Sequence, residues 1–234
     1  VVEREVEVPE GIAVVRTEDS RAALALLSAA WFGHPAKEMT LIGLTGTKGK
    51  TTTAHMLKAV LEAAGHKVGM IGTIGALVGQ EKVSTKNTTP ESYELHALFR
   101  RMADAGCSHV VMEASSQGFK LRRTAGIQFD VGVFLNLSPD HIGPGEHESF
   151  EEYLQCKSLM FRQCVRGLVN LDDEHTPAVT GQALCPLTTF SMTQAADYRA
   201  EDAREERRPG FLGSRFAVSG PMSGAFLLDM PGRF

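Results

Sequence analysis

The chain has no run of apolar residues near the ~20 that a bilayer-spanning helix needs, which excludes a membrane-spanning design of that kind. Cysteine is scarce. There are four in 234 residues (Cys107, Cys156, Cys164, Cys185), and no two stand in C-x-x-C spacing, which argues against a zinc ribbon. A disulfide framework does not suit a chain of this size without a secretory signal, and residues 1–10 alternate valine and charge, unlike such a signal. Reduced thiols in or near a core are the expected state. An excess of positive charge is also missing: 24 Lys and Arg stand against 28 Asp and Glu, a net −4, which leaves no nucleic-acid footprint.

Hydrophobic residues make up 43% and charged residues 22%, enough for a sizeable core in one large domain or two small ones. Glycine is in excess, 23 of 234 against a norm of ~7%, which points to turns or to backbone that approaches a ligand. Residues 1–15 alternate well enough to predict two short strands about a turn at Pro9-Glu10-Gly11. A helix then starts near Thr17–Ser20, with Leu24, Leu27 and Trp31 at helical spacing, and ends at Gly33-His34-Pro35. This opening piece, residues 1–39, is too short for a stable domain and reads as the tail of an N-terminal domain with its linker.

From residue 40 to 234 strands and helices alternate. The apolar run at residues 39–46 reads as a strand buried on both faces. Residues 50–65 read as a helix carrying Leu57, Val60, Leu61 and Ala64 on one face. A strand with a glycine-rich turn or hairpin is expected at residues 67–79, further strands near 108–115, 129–137 and 166–172, and helices near 90–106 and 148–164. This is the signature of an α/β fold with a mostly parallel, doubly wound sheet. After residue 185 the helices cease, and three short segments read as an antiparallel extension. The charged run at 202–210 reads as a solvated loop.

The strongest local signal is Thr45-Gly46-Thr47-Lys48-Gly49-Lys50-Thr51-Thr52, between a buried strand and a helix. Glycines let backbone N–H groups curl around phosphate oxygens, and the helix N-terminus adds unpaired donors. Lys50 would neutralise the β- and γ-phosphates and the Thr51 hydroxyl would hold Mg²⁺. The strict G-x-x-x-x-G-K-[ST] spacing is not met, because its first glycine falls on Leu44.

At these residues the chain resembles the Mur ligase family, whose loop is T-G-T-N-G-K-T; Lys48 stands in the Asn place. Residues 86–90 (KNTTP), 112–118 (MEASSQG), Arg122-Arg123, 134–141 (FLNLSPDH) and 150–157 (FEEYLQCK) are similar to further family segments, in order. The resemblance implies a central ATP-binding domain that works with ATP and Mg²⁺. The family builds the peptide stem of peptidoglycan through acyl phosphates, and these segments are similar to those of the member that joins meso-diaminopimelate or L-lysine to UDP-N-acetylmuramoyl-L-alanyl-D-glutamate. It also implies a cytoplasmic, monomeric enzyme with no nucleic-acid partner and no membrane insertion.

The resemblance gives Asn136 to the nucleotide, and Asn87, Thr88, Thr89, Ser115 and Arg123 to the UDP-linked substrate. Glu113, His141 and a carbamylated Lys157 join Thr51 at the metal, and Lys50, His141 and Lys157 carry catalysis. Read without the family, several of these have plainer roles. Glu113 is a solvated strand end, or, beside a phosphate loop, a hard ligand for Mg²⁺. His141 is a hydrogen-bonded loop histidine, since Mg²⁺ prefers oxygen. Lys157 is a snorkelling surface residue, and Asn87-Thr88-Thr89 is a helix cap. Two departures stand out: Gln117 replaces the family's histidine, and Gly143 with a displaced His147 replaces D-x-H after His141. Other members of the superfamily, such as folylpolyglutamate synthase, and a non-catalytic nucleotide-binding fragment are the alternatives.

Overall fold

The computed structural model describes residues 1–140 and 142–230. His141 and residues 231–234 lie outside the described residues. One sheet of eleven strands organises the chain. Its parallel centre has β1 (Thr40–Thr45) flanked by β5 (His109–Glu113) and β6 (Phe129–Phe134). Outward from these run β2 (Val68–Gly72) on one side, then β7 (Cys164–Asn170) and β8 (Leu187–Ser191) on the other. The hairpin strands β3 (Gly75–Val78) and β4 (Glu81–Val83) close one edge. The antiparallel ribbon β9 (Tyr198–Arg208), β10 (Phe211–Ser219) and β11 (Gly224–Leu228) forms the other.

Helices cover both faces. On one lies α2 (Lys50–Ala63), over Leu44, Val68, Met70, Val111 and Val133. The other carries α3 (Ser92–Asp104), α5 (Phe150–Ser158) and the 3-10 turn Leu159–Arg162 over a larger core that includes Leu41, Phe99, Phe129, Phe134 and Phe161. Much of that packing depends on glycine. Gly43, Gly132 and Gly167 are register partners across β1, β6 and β7. A Cβ at Gly43 would lie 2.7 Å from Met160, one at Gly132 2.8 Å from Met160, and one at Gly167 2.8 Å from Phe161. The three form a trough in the sheet that seats the 3-10 turn. This is a use of the glycine excess besides turns and ligand approach.

Several expectations change. Residues 1–15 form no strands; the segment is held by an isolated parallel bridge between Val2 and Arg16 and a turn from Pro9 to Ile12. No neighbouring strand is at hand, so its alternation has nothing to pair with. The helix α1 (Ser20–Trp31) forms, capped by Asp19, but it buries Ala25, Ser28 and Ala29. Leu24, Leu27 and Trp31 face outward, Trp31 with 77% exposure. On α2 the buried residues are Ala54 and Lys58, with Leu57 and Leu61 packed beside them, while Val60 is 66% exposed. The strand β8 is parallel to β7 and β9 is parallel to β8, so antiparallel pairing starts only between β9 and β10. Finally, the charged run at 202–210 is mostly strand β9, paired to β10 over almost its whole length. Backbone hydrogen bonds, not apolar side chains, make it a strand.

Candidate functional site

The parallel strands all end on one side, where open α/β sheets bind ligands. The loop after β1 turns there into α2. Gly46, at φ 154°, passes so close to the neighbouring strand end that a Cβ would lie 3.1 Å from the Leu135 Cβ and 3.2 Å from the Asn136 carbonyl. Gly49 caps α2 in the left-handed region, φ 83°, which favours glycine. Asn136 fixes the loop: its Oδ1 accepts the Lys48 N–H at 2.9 Å and its Nδ2 donates to the Lys48 carbonyl at 3.1 Å. Thr47 is tied behind it, its N–H donating to the Asn136 carbonyl and its hydroxyl 3.1 Å from Tyr153 Oη. Thr45 is fully buried at the strand end, whereas Lys48 and Thr52 are exposed.

Two lysines meet on one carbonyl. Lys50 Nζ donates to Gly46 O at 2.8 Å and to Thr47 O at 3.1 Å. Lys157 Nζ donates to the same Gly46 O at 2.9 Å and lies 4.4 Å from the Tyr153 ring centroid. Lys157 is therefore no snorkelling surface residue; it is 2% exposed, beneath the loop. Burial, then the Lys50 charge, pushes its ammonium down to about 7. Burial also lowers Lys50, against the opposing pull of Glu113 and Asp140.

In front of the loop stands Glu113, 1% exposed at the end of β5. Its Oε1 accepts the Thr51 hydroxyl at 2.8 Å and the Thr73 N–H at 3.2 Å, and its Oε2 accepts the Thr73 hydroxyl at 3.1 Å. A carboxylate joined to two hydroxyls is an all-oxygen donor set, the kind a small hard cation takes. Among the described residues no cluster of three or more His, Cys, Asp or Glu side chains is gathered as a metal site. His141 lies outside the described residues.

A polar cleft of about 590 Å³ opens beside these groups, bordered by Lys50, Thr51, Thr88, Glu113, Ser115 and Arg123. Asn87 and Ser116 also face it. Thr89 does not: it is fully buried, donating to Glu113 O at 2.9 Å and accepting from Ser115 N at 3.0 Å. Ser115 caps α4 (Ser116–Lys120), and its hydroxyl is 3.1 Å from that of Thr89. Arg123 spans the cleft floor, with one guanidinium nitrogen on Thr89 O at 3.1 Å and another 2.5 Å from Glu91; its Nε is buried without a hydrogen-bond partner. A second cleft, about 520 Å³, shares Gly49 and Thr52 with the first and is lined by Met56, Met192, Phe216 and Leu228.

Residues that pattern reading passed over hold the site. Thr73 anchors Glu113 and follows β2, two strands from the loop. Asn170 Nδ2 donates to Leu135 O at 2.9 Å and Asp173 Oδ2 accepts Leu137 N–H at 2.7 Å, so the end of β7 brackets Asn136. The only signal was Asn-x-Asp-Asp after a strand, which reads equally as a turn.

The profile of the Mur ligase middle domain matches residues 44–234. Over all of its length the chain is 38% identical to a UDP-N-acetylmuramoyl-L-alanyl-D-glutamate–2,6-diaminopimelate ligase of Clostridium perfringens, 48% of which is covered. It is 40% identical to the protein of that name from Corynebacterium glutamicum, over 94% of this chain and 43% of the other. A solved structure carrying that ligase name superposes with a TM-score of 0.74 at 24% identity, over 87% of this chain and 43% of the other. The chain thus spans about half the length of the curated relatives it matches.

Proposed function

The chain belongs to the Mur ligase family, and from that premise we propose that it is the ATP-binding part of a ligase that joins an amino acid to UDP-N-acetylmuramoyl-L-alanyl-D-glutamate. The relatives' names favour diaminopimelate as that amino acid over lysine. The observation that carries the reading is the convergence of Lys50 and Lys157 on the Gly46 carbonyl, beside the Thr51–Glu113 pair. Burial and the Lys50 charge push Lys157 toward its neutral amine, which leaves Lys50 as the cation that an incoming polyanion meets.

Each group has a part. Lys50 and the N–H groups of residues 49–51, at the head of α2, hold the phosphates of ATP, the substrate whose phosphoryl group activates the carboxylate. Thr51 and Glu113, with His141 and a carbamylated Lys157, would hold Mg²⁺, which would neutralise phosphate oxygens. Carbamylation consumes a neutral amine, and burial with Lys50 alongside supplies one near neutral pH. Asn136 positions Lys48 and so shapes the loop. Asn87, Thr88, Ser115 and Arg123 receive the anionic UDP-linked substrate, with Thr89 orienting Ser115 and Arg123 from behind. The apolar cleft beyond Gly49 and Thr52 suits the base end of the nucleotide.

Residues 1–39 fit the tail of a preceding domain, because α1 turns Leu24, Leu27 and Trp31 outward. Residues 40–234 are then the central domain. No described helix is long and apolar enough to cross a membrane, and the proposed substrates are water-soluble, which supports a cytoplasmic site of action.

The test is ligation by the full-length protein with ATP, Mg²⁺, the UDP-linked dipeptide and either amine, followed by ADP release and product mass. Lys157→Ala should abolish product, and added formate or acetate should restore part of it. A wild type that binds ATP but forms no amide with either amine would favour a nucleotide-binding module instead.

A further inference from the structure

Beside the polar cleft, and used by none of the roles above, lies a chain of three side chains on three segments. Ser116 opens α4 and faces the cleft. Its Oγ is 2.8 Å from Nε2 of His147, a fully buried histidine in the loop before α5. The other ring nitrogen, Nδ1, is 3.4 Å from Glu152 Oε2. Glu152 is fixed in turn by the Glu148 N–H at 2.8 Å and by Lys120 at 2.9 Å.

Resting on the ligase reading above, we propose that Ser116, His147 and Glu152 form a relay that takes the proton released by the amine as the amide bond forms. The nitrogen lone pair makes the new N–C bond. The C–O bond of the acyl phosphate breaks, and its electron pair leaves on phosphate. The surplus proton on nitrogen passes to Ser116 Oγ as the Ser116 proton passes to His147 Nε2. The resulting imidazolium, beside Glu152, returns its Nε2 proton through Ser116 to water in the cleft after product leaves, which resets the relay.

The surroundings suit this cycle. Burial lowers His147 below the ordinary histidine value, so at rest it is neutral and can accept. With the Ser116 hydroxyl donating to Nε2, the ring proton sits on Nδ1, which is buried without a hydrogen-bond partner and has the Glu152 carboxylate 3.4 Å away. Among the charges around it, Glu152 favours the imidazolium and Lys120 opposes it. The Tyr153 ring packs 5.2 Å from the imidazole and holds its orientation. The histidine that pattern reading finds displaced is thus aimed at a cleft serine. Only Ser116 would touch the reacting atoms; His147 and Glu152 act through it.

The experiment separates the two half-reactions in the full-length protein, for wild type, His147→Gln and Ser116→Ala. Acyl phosphate is trapped with borohydride in the absence of amine, and amide formation is followed from pH 4.5 to 9 with amine present. Both variants should trap acyl phosphate at the wild-type rate yet form amide about 100-fold more slowly. They should also lose the acid limb that the wild type shows. Equal loss of both half-reactions would make the trio structural, and amide formation within about twofold of wild type would remove it from the mechanism. If His147→Gln fails to fold, as judged by melting, Ser116→Ala carries the comparison alone. A wild type that traps no acyl phosphate overturns the ligase reading itself, and the relay with it.

Discussion

The parallel centre of the sheet and the antiparallel ribbon at its edge are built on opposite terms. In the centre, β1, β5 and β6 bury most of their side chains, and Gly43, Gly132 and Gly167 are spent so that Met160 and Phe161 can reach the backbone. In the ribbon, β9 carries Arg and Glu outward on both faces, and β10 and β11 pair with it while leaving Leu212, Phe226 and Leu227 substantially exposed. Packing decides the first region and main-chain pairing the second. A charge or a methyl group should therefore cost much in one place and little in the other.

The largest contrast concerns charge. Lys157 is buried under the loop with its ammonium lowered to about 7, while Arg215 of the ribbon stands half exposed. A lysine lowered from its ordinary value of 10.5 binds fewer protons folded than unfolded between the two values. Stability should therefore rise with pH across that window, by up to about 1.4 kcal/mol per unit. Below about 7 the penalty is at its full size. Denaturant melts in carbonate-free buffer should reveal the slope, and Lys157→Met should flatten it. An unchanged slope would mean that Lys157 is solvated.

Next in size is the glycine trough. Gly132→Val places methyl groups where a Cβ alone already meets Met160 at 2.8 Å and Cys164 at 2.9 Å. The expected loss is about 3 kcal/mol, at the upper end of the overpacking range, read from the denaturation midpoint. A loss under 1 kcal/mol would show that the Leu159–Arg162 turn moves aside freely.

The smallest effect belongs to the ribbon. Arg215→Ala removes an ion pair to Glu206 of 3.9 Å between exposed or half-exposed groups. Stability should change by less than about 0.5 kcal/mol, and added salt should erase even that. A larger change would mean that the ribbon is packed against something the charge helps to hold.

Much of the site could be read locally. The segment Thr45-Gly46-Thr47-Lys48-Gly49-Lys50-Thr51 declares its strand, loop and helix within a few residues, because loop curvature depends on glycine and capping is a short-range matter. Glu113 was legible as a strand end on the ligand side of the sheet. Burial of Lys157 was not, since its partner Gly46 lies 111 residues away. Nor was the saturation of Thr89, whose hydroxyl is shared by Glu113 and Ser115, some 25 residues on. On α1 the spacing of Leu24, Leu27 and Trp31 was read correctly as helical, but the face that packs is the one with alanine and serine. Periodicity names a stripe; it does not say what stands opposite.

What the residues determine by themselves is the alternation of strand and helix, the parallel centre and the glycine-rich loop from β1 to α2, because these follow from apolar runs, glycine and capping within single elements. Tertiary structure alone decides that two lysines share one carbonyl, that Thr73 steadies Glu113, that Ser116 meets His147, and that a charged run becomes β9. Each of these depends on which strand ends lie side by side. Burial, hydrogen-bond partners and charge neighbours arise only when segments distant in sequence are brought within a few ångströms.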